Sequence, residues 1–299
     1  MHDTVMYMIY CNDIPVTILS FPNGEIHVAR EQAAFAELGS ETRLRLSWRS
    51  DADLLHLYLI GRYVIEQAGA ATLSIDYMPY SRMDRTTGDL FSLREVARLI
   101  NSLGFRHVSI VEPHSDVTLA LVERSEGLYP SQTWLLETAL ADIGFTESDL
   151  LFFPDAGAQK RYGALTENYR HLVGAKHRGT HGELAEDYRV LGPQPREDSK
   201  IVIVDDLCSY GGTFLAAANA LSQMGATALW LVVTHLEASY WKGTLATRVH
   251  DGPSSPDAAS LRGVYATNSL YDPRHDGGPS DFSARGVHLY DVATHEALI

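Results

Sequence analysis

The segment Ile201–Phe214 reads IVIVDDLCSYGGTF, a strand, a turn and the start of a helix in one short run. Four apolar residues lead into Asp205 and Asp206, then into a small polar turn with Ser209, Tyr210, Gly211, Gly212 and Thr213. Helical periodicity follows from Phe214 to Met224 and stops at Gly225. Glycines in such a turn let the backbone approach a phosphate, and the unused N–H groups at the helix start supply donors and a favourable dipole. The two carboxylates at the strand end are placed to meet ribose hydroxyls or a cation. A helix cap and tight turn with no ligand is the competing reading of the same spacing.

The pattern repeats on either side. Leu54–Ala68 carries a helical stripe before Gly69, Ala71–Met78 reads as a strand, and Leu93, Val96, Ala97, Ile100 and Leu103 mark a helix that Gly104 ends. His107–Val111 is strand-like, Trp134–Ile143 helical, and Leu150–Phe153, Lys200–Val204 and Ala228–Val233 are apolar strands. Strand and helix in alternation predict an α/β protein with mainly parallel sheets flanked by helices, and place function at the carboxyl ends of the strands. A length of 299 residues suits two domains, expected at 1–136 and 137–299. Gly174–Asp198, rich in charge, reads as a mobile loop followed by a surface hairpin; Asp251–Ser260 and Asp272–Ser283 read as turn and loop.

Composition narrows the function. A net charge of −14 speaks against a broad nucleic-acid or anionic-membrane surface, while leaving local phosphate sites open. Cys11 and Cys208 are the only cysteines, far apart, which excludes a disulfide framework and fits a reducing compartment. The apolar start, Met1–Cys11, is short and acidic where a signal would be basic, and reads as a strand. No run approaches a membrane span. A cytoplasmic protein is expected.

Five segments, in order, carry the remaining chemistry: Phe21–Val28 (FPNGEIHV), Tyr80–Arg85 (YSRMDR), Glu112–Val117 (EPHSDV), Phe153–Arg161 (FPDAGAQKR) and Ala175–Glu183 (AKHRGTHGE). Arg82 and Arg85 follow a predicted strand, where guanidinium groups can fork onto phosphate oxygens, although an isolated arginine is more often a surface ion pair. His114 and Asp155 each lie just past a predicted strand and can serve magnesium, partly through water; a lone histidine is more often a structural donor. Lys176 and Arg178 are either solvated charges or cations on a closing loop.

Together with Asp205–Thr213, these segments resemble the ribose-phosphate pyrophosphokinases across nearly the whole chain, and the glycine turn alone resembles type I phosphoribosyltransferases. The resemblance implies two tandem type I phosphoribosyltransferase-like domains and transfer of the β,γ-diphosphate of Mg²⁺-ATP to an anomeric hydroxyl, releasing AMP. It implies that Phe21, Asn23, Glu25, Arg82, Asp84, Arg85 and His114 bind ATP, that His114 and Asp155 serve the metal, and that Lys176 and Arg178 are catalytic. Asp205, Asp206 and Ser209–Thr213 would hold the sugar phosphate. A homo-oligomer is implied, because Phe21 and its neighbours commonly wall the adenine of an adjacent subunit in this family.

Departures from the family pattern concern the acceptor and the assembly. The family's loop usually reads Asp-Thr-x-Gly-Thr, whereas this chain has Ser209 and Tyr210; Met83 replaces a usual glutamine; and the stretch before Phe21 lacks the family's opening strand and helix. Two acceptors follow: ribose 5-phosphate, giving phosphoribosyl pyrophosphate, or ADP-ribose, giving an activated ADP-ribose for NAD resynthesis. The second reading resembles divergent phage members, for which the compartment would be the host cytoplasm. A phosphoribosyltransferase and a catalytically silent regulatory homologue are the alternatives from other classes.

Overall fold

The computed structural model describes residues 5–6, 8–85, 90–178, 184–196, 198–251, 260–277 and 285–298. The chain divides into two compact units, Met1–Leu128 and Tyr129–Ile299.

The first unit contains β1 (Val5–Met6), β2 (Ile9–Cys11), β3 (Ile14–Pro15), β4 (Ile18–Ser20), β5 (Ile26–His27) and β6 (Arg43–Leu46). After these come α1 (Ala52–Ala68), β7 (Thr72–Ile75), α2 (Ser92–Leu103), β8 (His107–Val111), α3 (Asp116–Leu121) and β9 (Ser125–Leu128). One sheet has the order β3-β2-β6-β7-β8-β9, parallel from β6 onward; a smaller antiparallel sheet has the order β1-β4-β5. The start of the chain thus supplies strands to both sheets instead of one continuous strand. The α2 stripe of Leu93, Val96, Ala97, Ile100 and Leu103 is buried as its spacing predicts, against a core with Leu44, Leu57, Ile75 and Ile110. Gly104 closes that helix with φ +74°, a conformation that a side chain disfavours.

The second unit contains α4 (Trp134–Asp142), β10 (Leu150–Phe153), α5 (Ala156–Arg161), α6 (Gly163–Thr166), β11 (His171–Arg178), β12 (Leu184–Leu191) and β13 (Lys200–Cys208). It continues with α7 (Gly212–Gln223), β14 (Ala228–Leu236), α8 (Thr244–Asp251), β15 (Ser260–Thr267), α9 (Pro273–Asp276) and β16 (Val287–Tyr290). Its sheet has the order β12-β11-β10-β13-β14-β15-β16, parallel except for β12. The period of two along β13 explains why its Ile201–Val204 run is apolar on both faces. Ile201 and Ile203 enter one buried cluster with Phe214 and Leu221, while Val202 and Val204 enter another with Leu135 and Phe153.

Two expectations change. The strand expected at Lys200–Val204 continues to Cys208, so Asp205 and Asp206 lie within β13, with Asp205 in register with Val233 of β14. The segment read as a loop from Gly174 is instead paired: β11 and β12 form an antiparallel ladder, with Lys176 opposite Tyr188 and Arg178 opposite Leu184 and an irregular register between them. Residues 179–183, 252–259 and 278–283, parts of the expected loops, lie outside the described residues.

Candidate active site

In the second unit, the chain leaves β10 for β11 and β12 on one side and returns as β13 on the other. This reversal opens a crevice at the carboxyl ends of β10 and β13, where open α/β sheets bind ligands. Three predicted carboxylates belong to these two strand ends. Asp155 is the N-cap of α5, its Oδ1 accepting from the Ala158 N–H at 2.9 Å. Asp205 and Asp206 share a guanidinium: Arg161 Nη1 lies 2.7 Å from Asp206 Oδ1 and 3.4 Å from Asp205 Oδ1. Burial and the adjoining Asp206 carboxylate hold the Asp205 carboxyl well above the usual carboxylate range. Burial opposes the charge on Arg161, but Asp206, Tyr162 and Asp205 together outweigh it, so the guanidinium holds its proton more firmly than usual.

The turn after β13 is shaped by the segment that follows β14. Gly211 has φ +81°, and a Cβ there would lie 2.6 Å from Leu245 Cβ, so glycine is required on both counts. At Gly243, a Cβ would meet the Tyr210 carbonyl. Gly211 caps α7 without a side-chain acceptor, and the Leu215 N–H is the one that returns to the Gly211 carbonyl. The N–H groups ahead of it, at Gly212–Phe214, are those a helix start offers to a phosphate. Tyr210 projects from this turn, 59% exposed.

In the first unit, Leu46, Ile75 and Ile110 are level across β6, β7 and β8, so the carboxyl ends of these strands form one edge. The turn after β7 carries exposed Arg82 and Arg85, with Asp84 Oδ1 3.8 Å from Arg85 Nε. The turn after neighbouring β8 carries half-buried His114. These residues therefore leave adjacent strands at the same edge. Phe21, Asn23 and Glu25 occupy the β4–β5 hairpin turn: Asn23 Nδ2 donates to Glu25 Oε2 at 2.7 Å, and the Phe21 ring is exposed. Lys176 and Arg178 sit on the last residues of β11 before its turn to β12.

Several residues near the second-unit crevice were assigned no role in the sequence. Arg161 closes FPDAGAQKR, yet its partner Asp205 is 44 positions on, beyond the reach of local pattern. Tyr188, on β12, donates to the Pro154 carbonyl at 2.7 Å. Burial, with Asp155 and Asp205 nearby, pushes its hydroxyl above the ordinary tyrosine value. Ser209 Oγ lies 2.9 Å from Ser239 Oγ, which donates to Glu237 Oε2 at 2.9 Å. Thr234 and His235 end β14 in a buried network; His235 Nδ1 lies 2.8 Å from Ser269 Oγ. Cys208 is buried, and burial raises its thiol above the ordinary range, which fits packing and not reactivity.

Paired carboxylates and a glycine turn at the switch point of a mainly parallel sheet define a type I phosphoribosyltransferase-like α/β protein. A phosphoribosylpyrophosphate synthetase from Mycobacterium smegmatis shares the fold with TM-score 0.68 over 93% of this chain and 86% of that one, at 19% identity. No family model matches the sequence. The ribose-phosphate pyrophosphokinase of Pyrococcus abyssi is 29% identical over 239 residues, 75% of this chain and 77% of its own length. That of Maricaulis maris is 28% identical over 274 residues, 87% and 82% respectively. Over most of its length the chain is thus similar to ribose-phosphate pyrophosphokinases.

Proposed function

We propose that this protein transfers the β,γ-diphosphoryl group of Mg²⁺-ATP to the anomeric hydroxyl of a 5-phosphorylated ribose. The acceptor oxygen bonds to the β-phosphorus, the bond from that phosphorus to the α,β-bridging oxygen breaks, AMP leaves with the bridging oxygen, and the hydroxyl proton is released. The observation that carries this reading is the glycine turn beside Asp205 and Asp206 at the β10/β13 switch point. It offers a 5-phosphate the α7 N–H groups and a ribose two carboxylates.

On this reading Phe21, Asn23, Glu25, Arg82, Asp84, Arg85 and His114 bind the nucleotide. Asp205 and Asp206 accept from the sugar hydroxyls, and Ser209–Thr213 cradle the phosphate. Lys176 and Arg178 neutralise charge on the transferring group. Among the described residues no three metal-type side chains cluster. That sparse set suits magnesium, which keeps its waters and binds one or two carboxylates together with substrate phosphates. Asp155 is the second unit's proposed side of that shell, and His114 is the first unit's candidate for serving the metal; a bound ion would screen the triphosphate charge. The relatives support ribose 5-phosphate as acceptor. The exposed Tyr210 ring supports ADP-ribose as a second.

Incubation with Mg²⁺-ATP and each acceptor, followed by chromatography of the nucleotides, tests the proposal. AMP should appear only with acceptor, alongside a diphosphorylated sugar. Synthesis of a nucleotide from phosphoribosyl pyrophosphate and a base, without AMP release from ATP, would make the chain a phosphoribosyltransferase. Silence with every acceptor would leave the regulatory homologue.

A further inference from the structure

The last regular rung of the β11–β12 ladder pairs Lys176 with Tyr188, and the register shifts just beyond it. The Tyr188 ring packs against the cluster that holds Phe152 and Leu172, and its hydroxyl crosses β11 to donate to the Pro154 carbonyl at 2.7 Å. Gly174 keeps that path open, since a Cβ there would meet both the Tyr188 hydroxyl and the Pro154 carbonyl. Pro154 is buried, so its carbonyl needs a donor from the protein. Burial, with Asp155 and Asp205 nearby, keeps the proton on this hydroxyl, which therefore stays a donor at working pH. The next residue is Asp155, which caps α5, and α5 ends at Arg161, the partner of Asp205 and Asp206. One side chain of the hairpin thus reaches the start of the segment that delivers a carboxylate and a guanidinium to the crevice.

We infer that Tyr188 is a positioning residue for the proposed reaction: its hydroxyl sets the Pro154–Asp155 peptide and, through α5, the places of Asp155 and Arg161. With six residues, α5 is too short to hold a direction by its own hydrogen bonds. Its orientation depends on packing and on what holds its ends, the Asp155 cap at one and the Arg161 ion pairs at the other. Tyr188 acts just ahead of the cap. Because Tyr188 stands opposite Lys176, the same tether joins the crevice to the hairpin that carries Lys176 and Arg178. The consequence for turnover rests on the diphosphotransferase reading, whereas the tether itself is read without any substrate.

Tyr188→Phe keeps the ring and removes the donor, and 4-aminophenylalanine at the same position restores one. Hydrogen–deuterium exchange of the ligand-free protein, read by mass spectrometry, follows Ala158 and Gln159, whose N–H groups bond Asp155. Loss of the donor should speed exchange in peptides spanning 155–162 about tenfold and leave those spanning 200–205 unchanged. The kcat for AMP release with Mg²⁺-ATP and ribose 5-phosphate should fall about tenfold as well. The amino variant should bring both readings back toward wild type. A hydrogen bond of structural value only would speed exchange and leave kcat unchanged at temperatures below melting. The inference is overturned by that outcome, by wild-type exchange at 155–162 in Tyr188→Phe, or by an equal rise across β13. Absence of AMP release from wild type with every acceptor would instead defeat the diphosphotransferase reading and the kinetic part of this inference, while exchange would still decide the tether.

Discussion

Asp205 and Asp206 show how adjacent carboxylates are held in a fold at a cost in stability. Their partner Arg161 faces Asp206 at hydrogen-bond distance and Asp205 at the longer 3.4 Å, so Asp205 is the less compensated of the two. Its carboxyl is raised by burial and by Asp206, which means that the folded state holds its proton to higher pH than the unfolded chain does. The stability this proton contributes is complete below about pH 4, the unfolded carboxyl value, and is lost as pH rises through the raised folded value. Asp205→Asn should therefore melt about 2–4 °C higher than wild type at neutral pH, with the gap closing in acid, while losing AMP release. Differential scanning calorimetry across pH checks the sign; a lower melting temperature at neutral pH would refute the assignment. Arg161→Met makes the opposite case, because it leaves two buried carboxylates without their cation. It should cost about 3–5 kcal/mol in urea unfolding, with part of the loss recovered in acid.

Elements show which parts of the fold are legible in sequence. Leu150–Phe153 and Ile201–Val204 are continuous apolar runs because both sheet faces are covered, and such runs announce themselves. The β11 strand, read as a loop ahead of a hairpin, does not, since HLVGAKHR puts polar residues on both faces and its register with β12 shifts between Lys176 and Arg178. β15 is equally hidden: Arg262 and Gly263 break its apolar run, although it pairs on both edges. The hairpin leaves no room for a side chain at Gly174, where a Cβ would run into Tyr188 Oη and the Pro154 carbonyl. Gly174→Ala should cost about 1–3 kcal/mol of stability and disturb Asp155, one residue beyond Pro154. A urea midpoint within error of wild type would show that the hairpin does not bear on the crevice. On the proposed reaction, Lys176→Ala should lower kcat about 10²- to 10³-fold with little change in KM for the acceptor, since a charge that meets the transferring group acts in the transition state. A change in KM alone would make Lys176 a binding residue only.

Across the whole chain, the two units carry different halves of the proposed chemistry. Phe21–Val28, Tyr80–Arg85 and Glu112–Val117 follow β4, β7 and β8, Phe153–Arg161 starts on the last residue of β10, and Ala175–Arg178 ends β11. What no local pattern could give is which residues share a partner, as Arg161 does with the carboxylates of β13 and Ser239 does with Glu237. The division predicts a separable response to ligands. A ligand held at a hundred times its dissociation constant stabilises its site by about 2.7 kcal/mol, enough to slow local amide exchange about a hundredfold. Mg²⁺-ATP alone should slow exchange in peptides spanning 21–27, 76–85 and 112–117. Acceptor alone should slow exchange in those spanning 205–215 and 236–245. Hydrogen–deuterium exchange read by mass spectrometry distinguishes the two patterns in one preparation. Protection of the first-unit peptides by acceptor without nucleotide would contradict this assignment, because those segments offer arginines and a histidine for a triphosphate, whereas the glycine turn and paired carboxylates that suit a ribose phosphate belong to the second unit alone.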